Sequence, residues 1–149
     1  MKVLLVEDEV HKREEMKQCV FDVFSFFPDI VDSVSYAVSM VSDGDYDLII
    51  LDMALSTFGD NAADKKKGHD QAQGGIEVLR ALKRANKSAK ILIVTQYHDF
   101  YIGAEKVKLK DSIKKIETKY NQQVIGAVLY QYKSKSTLQR IMSILRAQG

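Results

Sequence analysis

Tyr46-Asp47-Leu48-Ile49-Ile50-Leu51-Asp52-Met53 is the stretch whose reading decides the fold. Its four consecutive aliphatic residues leave no polar face, as expected of a strand buried on both sides within a sheet. The turn residues Ser42-Asp43-Gly44-Asp45 lead into it. Upstream, Val3-Leu4-Leu5-Val6 repeats the pattern, and downstream Ile91-Leu92-Ile93-Val94 repeats it again. A weaker strand is predicted at 30–34, interrupted by Asp32 and Ser33, and a fifth at 124–130. Between these runs the apolar spacing changes to that of helices. Met16, Val20, Val23 and Phe27 form one stripe ended by Pro28, and Ala37, Val38 and Val41 form another. Ile76, Leu79 and Leu82 line a third helix that ends near Asn86-Lys87-Ser88. Leu138, Ile141, Met142 and Leu145 line the last, with Ser136 read as its cap.

Strands alternating with helices predict an α/β fold: a doubly wound, five-stranded parallel sheet, flavodoxin-like, in the order 2-1-3-4-5 with helices on both faces. A length of 149 residues fits a single domain spanning 1–149. The net charge of +2 argues for neither nucleic acid nor membrane as a partner. The longest apolar runs are four residues, too short for a bilayer span or a signal peptide. The single cysteine, Cys19, can make no internal disulfide and reads as a small core residue. A soluble, cytoplasmic domain is the expectation.

In a sheet of this kind the ligand site lies beyond the carboxyl ends of the strands, where strands 1 and 3 are neighbours. Strand 1 delivers Glu7-Asp8-Glu9, strand 3 Asp52, strand 4 Thr95, and strand 5 leads through Tyr130 to Lys133. Glu7, Asp8 and Asp52 would form three carboxylates around one crevice, a repulsive arrangement that calls for compensation. A magnesium ion, which takes oxygen ligands, and the lysine together cancel the three charges. Such a site suits phosphoryl transfer. An aspartate is a carboxylate at neutral pH and attacks without a general base. Lys133 would hold one phosphoryl oxygen and Thr95 another, and the inward pull on Thr95 could be read at the surface as a switch.

These segments, together with Gly75-Ile76-Glu77-Val78-Leu79 and Tyr130-Gln131-Tyr132-Lys133, resemble a response-regulator receiver domain of two-component signalling, in order along nearly the whole chain. The resemblance implies Asp52 as the phosphoacceptor and Glu7 with Asp8 as the acidic pair. It implies magnesium held by Asp8, Asp52 and the main-chain carbonyl of Ala54. Thr95 would be the switch hydroxyl, Tyr130 the switch aromatic and Lys133 the phosphoryl-binding lysine. A stand-alone receiver would take its phosphoryl group from a histidine kinase or phosphotransfer protein and alter its contacts with an output partner, a homodimer being one form open to it. It would not be an enzyme beyond self-catalysed phosphoryl acceptance and slow autodephosphorylation.

The sequence departs from the family in three places. Ser134 follows Lys133 where a proline is usual, so the lysine's loop is open to another arrangement. The loop 53–74 is far longer than the family's turn, and Asp60, Asp64, Lys65, Lys66, Lys67, His69 and Asp70 make it strongly charged. It could act as a lid or a docking element. The third departure is an extended segment at about 99–122, expected to be helical from the spacing of Leu109, Ile113, Ile116 and Tyr120. Its basic face at 105–119, with Lys106, Lys108, Lys110, Lys114, Lys115 and Lys119, is a candidate surface for the output protein. The histidines His11, His69 and His98 have no zinc-site spacing.

Two alternatives remain. A pseudo-receiver would act as a phosphorylation-independent interaction module whose long loops distort the site. A phosphohydrolase with an aspartyl nucleophile is disfavoured because Ala54 stands where such enzymes place a second aspartate.

Overall fold

A computed structural model describes residues 1–55 and 73–149. The charged residues 60–70 of the long loop therefore lie outside the described residues. Strands β1 (Val3–Val6), β2 (Asp29–Val31), β3 (Leu48–Leu51), β4 (Lys90–Thr95) and β7 (Gln123–Leu129) form one parallel sheet. The order is β2-β1-β3-β4-β7, which is the expected 2-1-3-4-5 when these five strands are counted in chain order.

Side-chain alternation sorts the sheet's aliphatic residues into two cores. Leu4, Val6, Ile49, Leu51, Ile91 and Ile93 face helices α2 (Val34–Asp43), α3 (Gly74–Arg84) and α4 (Leu109–Tyr120). Val3, Leu5, Leu48, Ile50, Leu92 and Val94 face α1 (Val10–Phe24) and α5 (Lys135–Arg146). Each fully buried Leu, Ile or Val contributes roughly 1.5–3 kcal/mol, and the central strands are buried on both faces. Register then fixes the rim. Val6 pairs with Leu51 and Leu51 with Ile93, so Glu7, Asp52 and Thr95 emerge from neighbouring strands at the same end.

Several local expectations are corrected. The segment 99–108, read as helical, is an antiparallel hairpin of β5 (Asp99–Ile102) and β6 (Glu105–Lys108). Phe100, Ile102 and Val107 alternate into the core, while Gly103 turns the chain with φ +66°. Helix α4 begins only at Leu109, so Lys106 and Lys108 of the basic segment 105–119 sit on a strand. Within this surface Lys115 pairs with Glu105, and Lys106 lies 3.7 Å from Asp99. Helix α1 stops at Phe24 because Ser25 turns left-handed and donates its backbone N–H to Phe21, which leaves Phe27 outside and exposed. The cap of α5 is Ser134, accepting from the Thr137 N–H at 3.3 Å, in place of Ser136. No helix among the described residues is long and apolar enough to cross a membrane.

Candidate functional site

The strand ends deliver two carboxylates into a nearly closed space. Glu7, directly after β1, is 2% exposed, and Asp52, directly after β3, is 5% exposed. Each carboxylate is held at both oxygens. Glu7 Oε2 accepts from the Glu9 backbone N–H at 3.1 Å, and Asp52 Oδ1 accepts from the Ala54 N–H at 2.9 Å. The remaining oxygens converge on one cation. Lys12 Nζ lies 2.7 Å from Glu7 Oε1 and 2.9 Å from Asp52 Oδ2, with its own side chain fully buried.

Lys12 is the residue that sequence reasoning missed. It occupies the first turn of α1, four residues before Met16 and eight before Val20, so it extends the buried stripe of that helix toward the rim. Side chains on a helix lean toward its N-terminus, and here that direction carries the ammonium into the crevice. A lysine in phase with an apolar stripe was the available signal. An unpaired ammonium in such surroundings costs several kcal/mol, so the two carboxylates are what keep it there. Burial draws the Lys12 ammonium toward neutrality, but the Asp52 and Glu7 charges outweigh it and hold its pKa above the ordinary lysine value. Burial pushes the Glu7 carboxyl up to about 7, with Lys12 opposing the rise and Asp52 adding to it.

The other expected residues divide into two groups. Thr95 is fully buried at the end of β4, where its Oγ1 accepts from the Tyr97 N–H at 3.3 Å. The Thr95 carbonyl accepts from the Tyr130 N–H at 2.7 Å, joining the ends of β4 and β7. Tyr130 is buried, its hydroxyl donates to Glu15 on α1, and Lys12 Nζ lies 5.7 Å from its ring centroid. Burial, then the Glu15 hydrogen bond, raises the Tyr130 hydroxyl above its ordinary pKa. Tyr97 also lies within electrostatic reach: burial raises its hydroxyl, and the Asp52 charge adds to the effect.

Lys133 is not brought to Asp52. It is exposed in a left-handed conformation, φ +57°, with its backbone N–H 3.3 Å from Glu15 Oε1 and its ammonium 5.3 Å from the Tyr132 ring centroid. Among the described residues its ammonium makes no ion pair. Without proline after it, the loop takes a trans, left-handed turn that directs the side chain outward.

The three-carboxylate cluster expected for a metal is likewise not assembled. Among the described residues no three His, Cys, Asp or Glu side chains gather to hold an ion. Glu7 turns inward to Lys12, whereas Asp8 is partly exposed. The donor chemistry nonetheless suits magnesium, which needs only one or two carboxylates beside carbonyl and water oxygens. Asp8, Asp52 and the Ala54 carbonyl are all hard oxygen donors. With Lys12 already counted against Glu7, Asp8 and Asp52, two negative charges remain for a divalent cation.

The carboxyl end of β3 is braced from α3. A methyl group on Gly75 would lie 2.7 Å from both the Asp52 carbonyl oxygen and Met53 Cα, so only glycine admits this approach. The Gly74 N–H donates to the Leu55 carbonyl at 2.9 Å, so the long loop leaves and rejoins the domain at one point. Beside that junction, the Gln73 side chain bonds Gly103 of the hairpin turn.

No protein-family model matches the chain. Among curated proteins it is 31% identical over 151 residues to the Detocs response regulatory protein DtcB of Vibrio alginolyticus, covering 97% of this chain and 99% of that protein. A protein of the same name from Enterobacter cloacae is 22% identical, with 91% of each chain covered. The transcriptional regulatory protein CusR of Escherichia coli is 32% identical over 95 residues, which span 64% of this chain and 35% of CusR. Solved structures agree in fold. The response regulator domain of Thermotoga maritima CheB superposes with a TM-score of 0.65 at 13% identity, covering 99% of this chain and 92% of that one. A Colwellia psychrerythraea response regulator gives 0.62 at 18%, covering 99% and 98%. Thermotoga maritima TrrA, solved in complex with magnesium and beryllofluoride, gives 0.55 at 19%, covering 97% and 99%. With a parallel sheet in the order 2-1-3-4-5, paired acids at its carboxyl rim and a relative matched along its length, the chain belongs to the response regulators and is a receiver domain of two-component signalling.

Proposed function

We propose that this receiver accepts a phosphoryl group on Asp52 and changes its partner contacts as a result. The observation that carries this reading is the state of the Asp52 carboxylate, held at one oxygen by the Ala54 N–H and at the other by Lys12. A carboxylate fixed at the rim and paired with a cation is an oriented nucleophile that needs no base. Asp8, Asp52 and the Ala54 carbonyl would hold magnesium, with Glu7 the second member of the acidic pair. When bound, the ion would offset charge on the transferring phosphoryl group. Thr95 and Tyr130 would carry the change outward, since one backbone hydrogen bond ties them together. The donor would be a histidine kinase or phosphotransfer protein. The output contact would use the basic surface of β6 and α4, where Lys108, Lys110 and Lys114 have no ion pair among the described residues. The chain would undergo phosphorylation and slow self-dephosphorylation rather than turn over a substrate, and its place would be the cytoplasm.

A second reading draws on the same lysine. An ammonium that already bridges Glu7 and Asp52 would suit a pseudo-receiver that binds its partner without phosphate. Intact-mass analysis after incubation with acetyl phosphate and magnesium separates the two. A single phosphate adduct, absent in Asp52→Asn, is the expected result. No adduct on the unsubstituted protein, together with no magnesium-dependent response to beryllofluoride, would support the pseudo-receiver.

A further inference from the structure

We infer that Lys12, reaching in from the first turn of α1, is the cation that binds the phosphoryl group on Asp52, in place of Lys133. The inference rests on the phosphoacceptor reading of Asp52 and adds to it the identity of the residue that receives the charge. Two placements support it. Lys12 Nζ is 2.9 Å from Asp52 Oδ2, touching the reacting carboxylate, and is also anchored at 2.7 Å to Glu7. Lys133, the residue in the family's position, is exposed and lies against Tyr132.

The anchoring decides what Lys12 can do. In the transfer, an Asp52 oxygen forms a bond to phosphorus while the donor's P–N bond, or the P–O bond of acetyl phosphate, breaks. The leaving group departs with the electron pair. Asp52 loses its carboxylate charge on becoming an acyl phosphate, and the phosphoryl oxygens now carry the negative charge. Lys12 stays protonated and keeps its contact with Glu7 while its donation passes from Asp52 Oδ2 to a phosphoryl oxygen. A buried ammonium is more effective here than an exposed one, because water and salt screen it less. Lys12 also lies 5.7 Å from the Tyr130 ring centroid, and Tyr130 bonds Glu15 one helical turn further along α1. A shift of Lys12 toward the phosphate is therefore felt directly by the buried aromatic at the end of β7.

The test compares labelling by acetyl phosphate with magnesium in the unsubstituted protein, Lys12→Met, Lys12→Arg and Lys133→Ala. Binding of beryllofluoride is measured separately, as a shift in melting temperature. Lys12→Met should label more than about tenfold more slowly and lose the beryllofluoride shift, Lys12→Arg should recover part of both, and Lys133→Ala should stay within about twofold of the unsubstituted protein. Should the single variant not fold, the double variant Lys12→Met with Glu7→Gln is compared with Glu7→Gln alone, because Glu7 belongs to the acidic pair: labelling more than about tenfold slower than in Glu7→Gln is expected, and labelling within about twofold of it would overturn the inference. Labelling of a folded Lys12→Met within about twofold of normal would overturn the inference, as would a loss of about tenfold in Lys133→Ala. No adduct on the unsubstituted protein would instead remove the phosphoacceptor reading itself, and this assignment with it.

Discussion

The side-chain amide of Gln73 and the backbone of Gly103 exchange two hydrogen bonds, each 3.1 Å long, between positions 30 residues apart. Gln73 precedes α3 and Gly103 turns the β5–β6 hairpin, so one side chain fastens the hairpin to the return point of the long loop. Gln73→Ala should cost about 1–2 kcal/mol of stability. The loss should be local: amide hydrogen exchange should accelerate across 99–108 more than in β1 or β3. Uniform acceleration across the domain would contradict this role for Gln73.

Gly75→Ala should be more damaging than an ordinary alanine substitution in a helix. The added methyl would meet the Asp52 carbonyl and Met53 Cα at 2.7 Å, and backbone cannot swing aside as a flexible side chain does. A stability loss of about 1–3 kcal/mol is expected from overpacking, with slower phosphorylation of Asp52 because its strand end is displaced. A variant with unchanged melting and labelling would show that the two backbones are not held together.

Tyr130→Phe removes a hydroxyl that donates to Glu15 from a buried ring. A hydrogen bond to a charged partner lost in this way should lower stability by about 1–2 kcal/mol in denaturant titration. The ring remains, so the fold is retained. The nuclear magnetic resonance signals of the Glu15 region and of Thr95 should shift together, because Tyr130 N–H bonds the Thr95 carbonyl. Shifts confined to Glu15 would argue against communication between the helix and the end of β4.

Cys19 is 3% exposed, and burial, with Asp22 and then Glu15 adding to it, pushes its thiol up to about 11. The native protein should therefore resist iodoacetamide at pH 7–8, since only the thiolate reacts and little of it forms or is reachable. Unfolding in denaturant should restore ordinary reactivity. Rapid alkylation of the native chain would place Cys19 at the surface instead.

Much of this architecture was legible because the buried strands are written as uninterrupted aliphatic runs. Leu48–Leu51 and Val3–Val6 read as strands buried on both faces, and their parallel register carries the acids that follow them to the same rim. The hairpin was less legible because β5 and β6 are four residues each and carry charge on their outward positions. Their signal was the alternation of Phe100 with Ile102 just before the turn at Gly103, which helix periodicity downstream obscured. Lys12 was hidden for a different reason. A lysine within the charged run of residues 11–15 reads as solvated, and only its phase with Met16 and Val20 marks it as interior. Lys133 shows the opposite error, since sequence position placed a lysine at the rim while backbone conformation turned it away.

If Asp52 is the phosphoacceptor, the acyl phosphate should form there and on no other acid. Borohydride reduces an acyl phosphate to an alcohol, converting a phosphorylated aspartate to homoserine, and tandem mass spectrometry locates the converted residue. After incubation with acetyl phosphate and magnesium, homoserine should be found at position 52 alone. Conversion at Asp8, Glu7 or any other carboxylate, with position 52 unmodified, would exclude Asp52 as the phosphoacceptor.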